Sequence, residues 1–385
     1  MLLTAGSRDD GVGQVDRIAV LRANALGDFV QTLPALDALA ACYPDAERVL
    51  IGTPMHADLL AGRPGPVDRV VVAPVSRGVR QEPAVEEDPG LLRAFFASMR
   101  AERFDLAVQM HGGGRWSNPF VERLGARVTV GLQAPGAPPL DRVVPYVHFQ
   151  HEVLRLLEVV ALVGARPVTL APVLRVTDSD RSAAARALPP STRPLVVVHP
   201  GATDPRRRWP AASFASVADA LAAGGADVVV TGTDLERAVA EEVAGRMRRE
   251  ARVLVGELSL PGLVGVLERA VLVVANDTGP RHLAEAVGTA TVSVYWCGNL
   301  VNAGPLTRAR HRPHVSWRLA CPVCGATGMG DLDPSRTDSS ECDHRDSYVT
   351  DVPVGAVLAD ALELLRVERT SDRRGDRLAG VMERA

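Results

Sequence analysis

The sequence predicts an α/β protein of two domains, each a doubly wound parallel sheet with helices on both faces. The chain has 385 residues, more than one average domain, and 46% of them are hydrophobic, enough for two ordinary cores. Short apolar runs alternate with helical stretches, which is typical of parallel sheets. The alternation also restarts near residue 194, after a polar segment that ends in prolines.

The first half contains five apolar runs that predict strands. They lie at 17–22, 47–52, 68–74, 105–110 and 127–132. Helices are expected at 28–41, 89–102, 118–124 and 150–163. The polar stretch 76–90 indicates a surface loop.

The second half repeats this organisation. Strands are expected at 194–201, 226–232, 252–257, 270–277 and 290–296, and helices at 211–223, 234–249 and 260–269. After them, apolar residues at helical spacing predict a further helix over 353–369.

These patterns set the expected domain boundaries. The first domain spans 17–175, a polar, Ala-rich connector with one short helix spans 176–193, and the second domain spans 194–352. Residues 1–16 lack the basic and apolar regions of a signal peptide and are expected to be disordered. The charged stretch 370–385 is expected to fray.

Charge and hydropathy exclude several classes of protein. The formal net charge of −3 gives no reason to expect nucleic-acid binding. No run reaches the ~18 apolar residues of a membrane span, so we expect a cytoplasmic protein that meets a membrane only through a partner or substrate. Five cysteines, an odd number, fit a reducing compartment.

Ligands of doubly wound sheets bind beyond the carboxyl ends of the strands, where three strand-to-helix junctions carry unusual residues. The first is "LRANALGDFVQTL", in which Gly27 lets the backbone approach a ligand and Asp28 stands at the start of a helix. Asp28 could cap that helix or act as a general base directed into a cleft. Both interpretations stay open on these residues alone.

The second junction is "HPGATDPRRRWP". His199 and Gly201 follow a strand, and Arg207 is the middle one of three arginines before a new helix. The arginines could form a solvated turn, but basic residues beside a helix N-terminus favour a phosphate site.

The third junction is "NDTGPRHL". Asp277, Thr278 and Gly279 follow a strand, and Pro280 suits the first position of a helix whose unpaired N–H groups face outward. His282 lies in the first turn of that helix. Capping by Asp277 or Thr278 is compatible with anion binding, so we expect an anion here, most simply a diphosphate.

A cysteine-rich segment lies outside these junctions. "CPVCG" supplies Cys321 and Cys324, and "ECDH" supplies Cys342 and His344. Cys-x₂-Cys is a good tetrahedral half-site, and the second pair could complete a structural zinc centre with no open position. The alternative is that these cysteines need no metal.

The three junction motifs, in this order and spacing, resemble glycosyltransferase family 9, which includes the ADP-heptose:lipopolysaccharide heptosyltransferases. The resemblance covers about residues 17–365. It implies the GT-B fold, in which two Rossmann-like domains face each other across a cleft and helix 353–369 crosses back to the first domain. The nucleotide sugar would bind the second domain and the acceptor the first.

The resemblance also implies a mechanism. A heptose or similar sugar would pass with inversion, without a required cofactor or metal, from a nucleotide diphosphate sugar (an ADP-sugar by analogy) to a hydroxyl of a glycan or glycolipid. Asp28 would be the base, and Arg207 would replace a family Lys that neutralises the diphosphate. The residues that match the family's donor element are Asp277, Thr278, Gly279 and His282.

The first domain carries the expected acceptor contacts. Asn24 and Ala25, close to Gly27, replace a Ser pair common in the family, and this departure bears on acceptor identity or on the handling of the donor headgroup. The loop 110–120 follows a strand and offers His111 and Arg115. His-Gly-Gly-Gly in this loop could serve an esterase, but the chain has no Gly-x-Ser-x-Gly nucleophile elbow.

Two other functions remain open. A non-hydrolysing nucleotide-sugar epimerase of GT-B fold would act on the donor alone, and a sugar-nucleotide-binding protein would not catalyse. A dinucleotide dehydrogenase is poorly supported, because Gly11-x-Gly13 precedes the first strand. A metal-dependent enzyme would place Asp-x-Asp after a strand, whereas Asp331-Leu332-Asp333 is expected in a polar loop.

Overall fold

A computed structural model describes residues 12–81, 85–326 and 342–367. Residues 370–385 and Asp331-Leu332-Asp333 lie outside the described residues, as does most of 1–16. The expectation of disorder is wrong for 12–16, because Val12 and Val15 are buried and Arg127 donates to the carbonyl of Gln14. The chain divides into two compact units, Met1–Arg175 and Val176–Ala385.

The first unit contains a six-stranded parallel sheet in the order β3-β2-β1-β4-β5-β6. Its strands are β1 (Arg17–Leu21), β2 (Glu47–Gly52), β3 (Arg69–Val72), β4 (Leu106–Gln109), β5 (Val128–Gln133) and β6 (Arg142–Pro145). The expected strands are all present, and β6 is an addition that sequence patterns missed. This order is that of dinucleotide-binding domains, in which the direction of strand addition reverses between β1 and β4.

Six helices lie within the described residues of the first unit. They are α1 (Leu26–Val30), α2 (Leu33–Cys42), α3 (Pro54–Leu60), α4 (Pro89–Ala101), α5 (Ser117–Glu122) and α6 (Glu152–Ala161). The single helix expected over 28–41 is in fact two helices. In a continuous helix the ring of Pro34 would clash with the carbonyl of Val30, and Pro34 has no N–H to donate to it. Asp88 caps α4 by accepting from the N–H groups of Gly90 and Leu91.

The second unit contains another six-stranded parallel sheet, in the order β12-β11-β10-β7-β8-β9. Its strands are β7 (Leu195–His199), β8 (Asp227–Gly232), β9 (Arg252–Val255), β10 (Leu272–Asn276), β11 (Ala290–Trp296) and β12 (His311–Ser316). Read from the opposite edge, the order is the same as in the first unit. Sequence patterns missed β12, whose residues are mostly polar.

The helices of the second unit cover both faces of its sheet. They are α7 (Asp178–Ala187), α8 (Ala211–Ala223), α9 (Arg237–Arg246), α10 (Leu260–Arg269), α11 (Gly279–Ala286), α12 (Cys297–Ala303) and α13 (354–367). The short helix expected in the connector is α7. It packs closely on α10, since a Cβ on Gly265 would lie 2.2 Å from the carbonyl oxygen of Asp180.

The apolar face predicted for the last helix is confirmed. Val357, Ala361 and Leu364 of α13 are buried in the core of the second unit, together with strand residues such as Val196 and Val292. Asp360 of α13 also lies 3.0 Å from the imidazole of His314. The passage of this helix to the first domain stays a prediction.

The topology brings functional junctions together within each unit. Neighbouring parallel strands end at the same edge, so the loops after β1 and β4 meet in the first unit and those after β7 and β10 meet in the second. These are the positions where the strand order reverses and where doubly wound sheets bind ligands. Within 12–81, 85–326 and 342–367, no helix has the length and hydropathy of a membrane span.

Candidate active site

The centre of the second unit's site is Asp277, the residue that follows β10. It is 4% exposed, and its carboxylate has three partners. Its Oδ1 lies 3.1 Å from Nε2 of His282, and its Oδ2 lies 3.3 Å from Nη1 of Arg207 and 2.8 Å from Nδ2 of Asn299. One buried carboxylate thus holds side chains from three separate segments.

These partners keep Asp277 ionised. Burial by itself would raise the pKa of this carboxyl, but the hydrogen bond with His282 and the charges of Arg207 and Arg281 lower the pKa below its ordinary value. Asp277 is therefore a fixed negative charge at neutral pH, well suited to orient a cation.

Arg281 fixes the tautomer of His282. This arginine is fully buried, and its Nη1 lies 2.8 Å from Nδ1 of His282. A guanidinium can only donate, so Nδ1 of His282 accepts and its Nε2 carries the proton that it donates to Asp277. His282 therefore orients the carboxylate of Asp277, and its direct contact with a diphosphate stays a prediction.

The N-terminus of α11 lies beside this carboxylate. Thr278 precedes the helix in extended conformation and makes no side-chain cap, and Pro280 is the second helical residue and not the first. The buried Oγ1 of Thr278 has no hydrogen-bond partner within the described residues. First-turn N–H groups also lack helical partners, so Thr278 and Gly279 offer donors to an anion.

The arginine-rich segment forms a 3₁₀ turn over Pro205–Arg207. Asp204 caps the turn and holds Arg206 at 2.8 Å, and Nε of Arg208 donates to the carbonyl of Ala202 at 2.9 Å. Arg207 instead reaches Asp277 and keeps 29% of its side chain exposed. Arg207 is thus the arginine of this turn that reaches the loop after β10.

Asn276 and Glu236 are site residues that sequence patterns did not single out. Asn276 accepts from the N–H of Trp209 at 2.9 Å and donates to the carbonyls of Pro200 and Gly201 at 2.8 and 3.2 Å. It ties the loops after β7 and β10 together. An Asn at the end of a buried strand was the available signal.

Glu236 approaches the loop after β7. A Cβ on Gly201 would lie 2.0 Å from Oε1 of Glu236, so a larger residue there would displace this carboxylate. Nδ1 of His199 lies 3.2 Å from Oγ1 of Thr231, and its Nε2 lies 3.9 Å from Glu236. Burial lowers the pKa of His199, and the charge of Glu236 opposes this shift only in part.

In the first unit, Asp28 lies on α1 and does not cap it. The N-cap is Ala25, which makes no side-chain bond, so the capping interpretation is wrong. The Asp28 side chain is 46% exposed, and its Oδ1 lies 3.6 Å from Nη2 of Arg22. Arg22 also donates to the carbonyl of Asp28 at 2.9 Å, which fixes the backbone that carries the carboxylate.

Arg22 is itself buried and bound elsewhere. It is 1% exposed, and its Nη2 lies 2.8 Å from Oε1 of Glu152, whose other oxygen lies 2.7 Å from Arg155. Sequence patterns missed this network, because Glu152 begins α6 far along the chain. Arg22, which directly follows the apolar strand β1, was the feature of the sequence that could have indicated this network.

The expected acceptor contacts lie around the same edge. Nδ1 of His111 accepts from the N–H of Ala23 at 3.2 Å, and burial with the charge of Arg22 lowers the pKa of His111 to about 4. Oδ1 of Asn24 is buried without a hydrogen-bond partner in the described chain. Gly27 lies inside α1, and Arg115 lies over the Trp116 ring, 5.5 Å from its centre.

The cysteine-rich segment brings its four potential metal ligands together. The ligating atoms of Cys321, Cys324, Cys342 and His344 all lie within 4.8 Å of one another. Sγ of Cys342 is 3.3 Å from each of the other two sulfurs and 3.1 Å from Nδ1 of His344. Backbone N–H groups of Cys324 and Val323 lower the pKa of Cys321 to about 6, so it readily becomes a thiolate.

The fold and these junctions place the protein among the glycosyltransferases of GT-B fold. Residues 92–315, more than half of the chain, match the sequence model of glycosyltransferase family 9 (heptosyltransferase). The chain belongs to this family.

Relatives extend the likeness over most of the chain. Lipopolysaccharide heptosyltransferase 1 of Pseudomonas aeruginosa is 28% identical over 317 residues, which cover 80% of this chain and 86% of that protein. The solved E. coli ADP-heptose lps heptosyltransferase II has a TM-score of 0.70 at 20% identity, covering 92% of this chain and 99% of that chain. A family 9 glycosyltransferase from Veillonella parvula has a TM-score of 0.72 at 19% identity, covering the same shares.

Proposed function

We propose that this glycosyltransferase moves a heptose or a similar sugar, with inversion, from a nucleotide diphosphate sugar to a hydroxyl of a glycan or glycolipid. The observation that carries the proposal is Asp277, which holds Arg207 beside the N-terminus of α11. The names of the relatives, lipopolysaccharide heptosyltransferase 1 and ADP-heptose lps heptosyltransferase II, support an ADP-activated heptose and a lipopolysaccharide acceptor.

The donor half of the reaction belongs to the second unit. Cleavage of the bond between the anomeric carbon and the diphosphate leaves growing negative charge on the departing oxygen. Arg207 and the first-turn N–H groups of α11 meet this charge, and Thr278 offers its hydroxyl. Asp277 acts indirectly, because it is buried and its role is to orient Arg207 and His282.

The acceptor half belongs to the first unit. Asp28 takes the proton of the acceptor hydroxyl, whose oxygen attacks the anomeric carbon as the bond to the diphosphate breaks. The exposed carboxylate of Asp28 is accessible to a hydroxyl, and Arg22 holds its backbone in place. His111 and Asn24 flank the acceptor, and the buried imidazole of His111 is neutral.

The transfer step needs no metal in this proposal. The positive charge that a divalent ion would supply to the diphosphate comes from Arg207 and the helix N-terminus. A glycolipid acceptor would bring the protein to a membrane surface. The cytoplasmic location expected from the sequence stays a prediction.

The configuration of the product tests the proposal. We would incubate the full chain with ADP-heptose and heptose-deficient lipopolysaccharide and follow the anomeric proton by NMR. The expected product carries the opposite anomeric configuration to the donor, and added Mg²⁺ leaves the rate unchanged. Retained configuration would contradict the mechanism, and conversion of the donor sugar without acceptor would favour the epimerase.

A further inference from the structure

Four side chains that could bind a metal ion lie outside the catalytic residues, and the chain that follows them is hydrogen-bonded to the arginine turn. We propose that Cys321, Cys324, Cys342 and His344 bind one Zn²⁺, and that this centre positions the arginine turn that carries Arg207. The second half of this inference rests on the proposed function, since it assigns Arg207 to the donor diphosphate.

The donor set fits a tetrahedral ion. Zinc bound to thiolate at ~2.3 Å and to imidazole at ~2.0 Å requires ligand atoms roughly 3.5–3.8 Å apart. The four atoms already lie within 4.8 Å of one another, and the sulfur–sulfur distances of 3.3 Å need only slight expansion. Three thiolates with one imidazole favour zinc over the hard cations that carboxylates bind.

The centre would be closed and structural. Four protein ligands fill a tetrahedron, so no position remains for water or substrate. Cys321 is buried, and the N–H of Val323 donates to its sulfur at 3.4 Å, which is typical of a turn that prepares a thiolate for metal binding.

The chain that leaves the last ligand runs directly to the arginine turn. Three residues after His344, Oγ of Ser347 donates to the carbonyl of Arg208 at 2.6 Å. The N–H of Tyr348 donates to the carbonyl of Arg206 at 2.8 Å. These two bonds hold the residues on either side of Arg207.

The same segment is fixed to the sheet of the second unit. Oγ of Ser316, the last residue of β12, donates to the carbonyl of Tyr348 at 2.6 Å. The rings of Tyr348 and Trp296 lie 6.3 Å apart, edge to face, and Trp296 precedes α12, which carries the Asp277 partner Asn299. A metal that orders Cys342 and His344 therefore also orders the backbone that supports Arg207.

The metal content tests the first half of the inference. Elemental analysis of the full chain is expected to give one zinc per chain, and replacement by Co²⁺ should give the absorption of a tetrahedral thiolate site. Cys324→Ser should lose the metal, whereas the matched control Cys42→Ser, which changes an exposed cysteine outside the cluster, should keep it. A disulfide without metal would overturn the site, and one equivalent of iron would overturn the choice of zinc.

The affinity for ADP tests the second half. Ser347→Ala keeps every ligand and loses one hydrogen bond to the arginine turn, so we expect unchanged zinc and about fivefold weaker ADP binding by calorimetry. Removal of zinc from the wild type by a chelator, with folding followed by circular dichroism, should weaken ADP binding about tenfold or more.

The possible failures are distinguishable. Unchanged ADP affinity in Ser347→Ala and in the chelated protein would overturn the positioning role while the zinc count stands. A wild type that holds zinc but binds no ADP would instead contradict the proposed function. In the supporting case, the KM for the donor rises in Ser347→Ala while kcat stays near that of the wild type.

Discussion

The two units share one topology, but the aspartates at their corresponding junctions have opposite electrostatic environments. Both sheets have the same strand order, and both place an aspartate after a strand at the point where this order reverses. In the first unit the side chain of Asp28 is 46% exposed, whereas that of Asp277 in the second unit is 5% exposed.

The surrounding donors account for this difference. Arg22 lies 3.6 Å from Asp28 but 2.8 Å from Glu152, so the carboxylate of Asp28 is only weakly neutralised. Asp277 is bound by Arg207, His282 and Asn299 and has a lowered pKa. An exposed, weakly paired carboxylate can accept a proton, while a buried and fully bound one can only orient its partners.

Loss of the Asp28 carboxylate in the first unit should have the largest effect on sugar transfer. Asp28→Asn keeps the shape of the side chain but cannot take the acceptor proton. We expect kcat for sugar transfer to fall about 10²–10⁴-fold, measured with ADP-heptose and heptose-deficient lipopolysaccharide. Asp45→Asn, an exposed aspartate of the same unit, is the control and should transfer normally; equal rates in both variants would remove Asp28 from the chemistry.

Loss of the Arg207 guanidinium in the second unit should mainly weaken donor binding. Charge-assisted hydrogen bonds contribute about 1.5–3 kcal/mol, so Arg207→Ala should bind ADP roughly 10–150-fold more weakly. Isothermal titration calorimetry measures this change. Arg246→Ala, which breaks a surface ion pair with Glu242 in the same unit, should leave ADP binding intact. ADP affinity in Arg207→Ala equal to that of this control would move the diphosphate elsewhere.

Acid should destabilise the first unit through His56. Burial, with the charges of Arg22 and His111, lowers the pKa of His56 to about 4 from a model-peptide value near 6.5. The unfolded chain therefore binds more protons between these values, and the free energy of unfolding falls as the pH decreases from about 6.5 towards 4. Between pH 7 and 5 this one group should cost about 2 kcal/mol.

His56→Asn isolates that contribution. The amide oxygen of Asn can replace Nδ1, which accepts from the N–H of Thr53 at 2.9 Å, but it does not titrate. Urea unfolding of the first unit at pH 7 and pH 5 should differ less in the variant than in the wild type, by about 2 kcal/mol. The same difference in both proteins would show that His56 titrates normally when folded.

The smallest effect concerns the hydroxyl of Thr278. Its oxygen is buried without a partner in the described residues, which costs stability in the unliganded protein. Thr278→Val should therefore raise the free energy of unfolding by about 1 kcal/mol and weaken ADP binding about fivefold. Thermal unfolding and calorimetry measure the two changes. Loss of both stability and affinity would indicate that the hydroxyl has a structural partner.

The sequence predicted the parts of the fold that local patterns determine. Apolar runs identified ten of the strands, but β6 and β12 are edge strands with few consecutive apolar residues. Edge strands are solvated on one side, so their hydropathy resembles that of loops. The break between α1 and α2 was also missed, although Pro34 indicates it.

The site was predictable where a junction motif carries its own chemistry. Asp28, Arg207 and Asp277 each stand in such a motif. Their partners come from distant elements, as Glu152 on α6 and Asn299 on α12 illustrate. No fixed spacing relates such partners to a motif, because the fold and not the chain order brings them together.

One measurement directly tests the assignment of proton removal to Asp28 and of donor binding to the junction that holds Asp277 and Arg207. ADP affinity would be measured by calorimetry for the wild type, Asp28→Asn, Arg207→Ala and the double variant. We predict that Asp28→Asn binds ADP as the wild type does, and that the double variant matches Arg207→Ala. A tenfold change in ADP affinity caused by Asp28→Asn, in either background, would contradict the assignment of donor binding to the second unit and proton removal to the first.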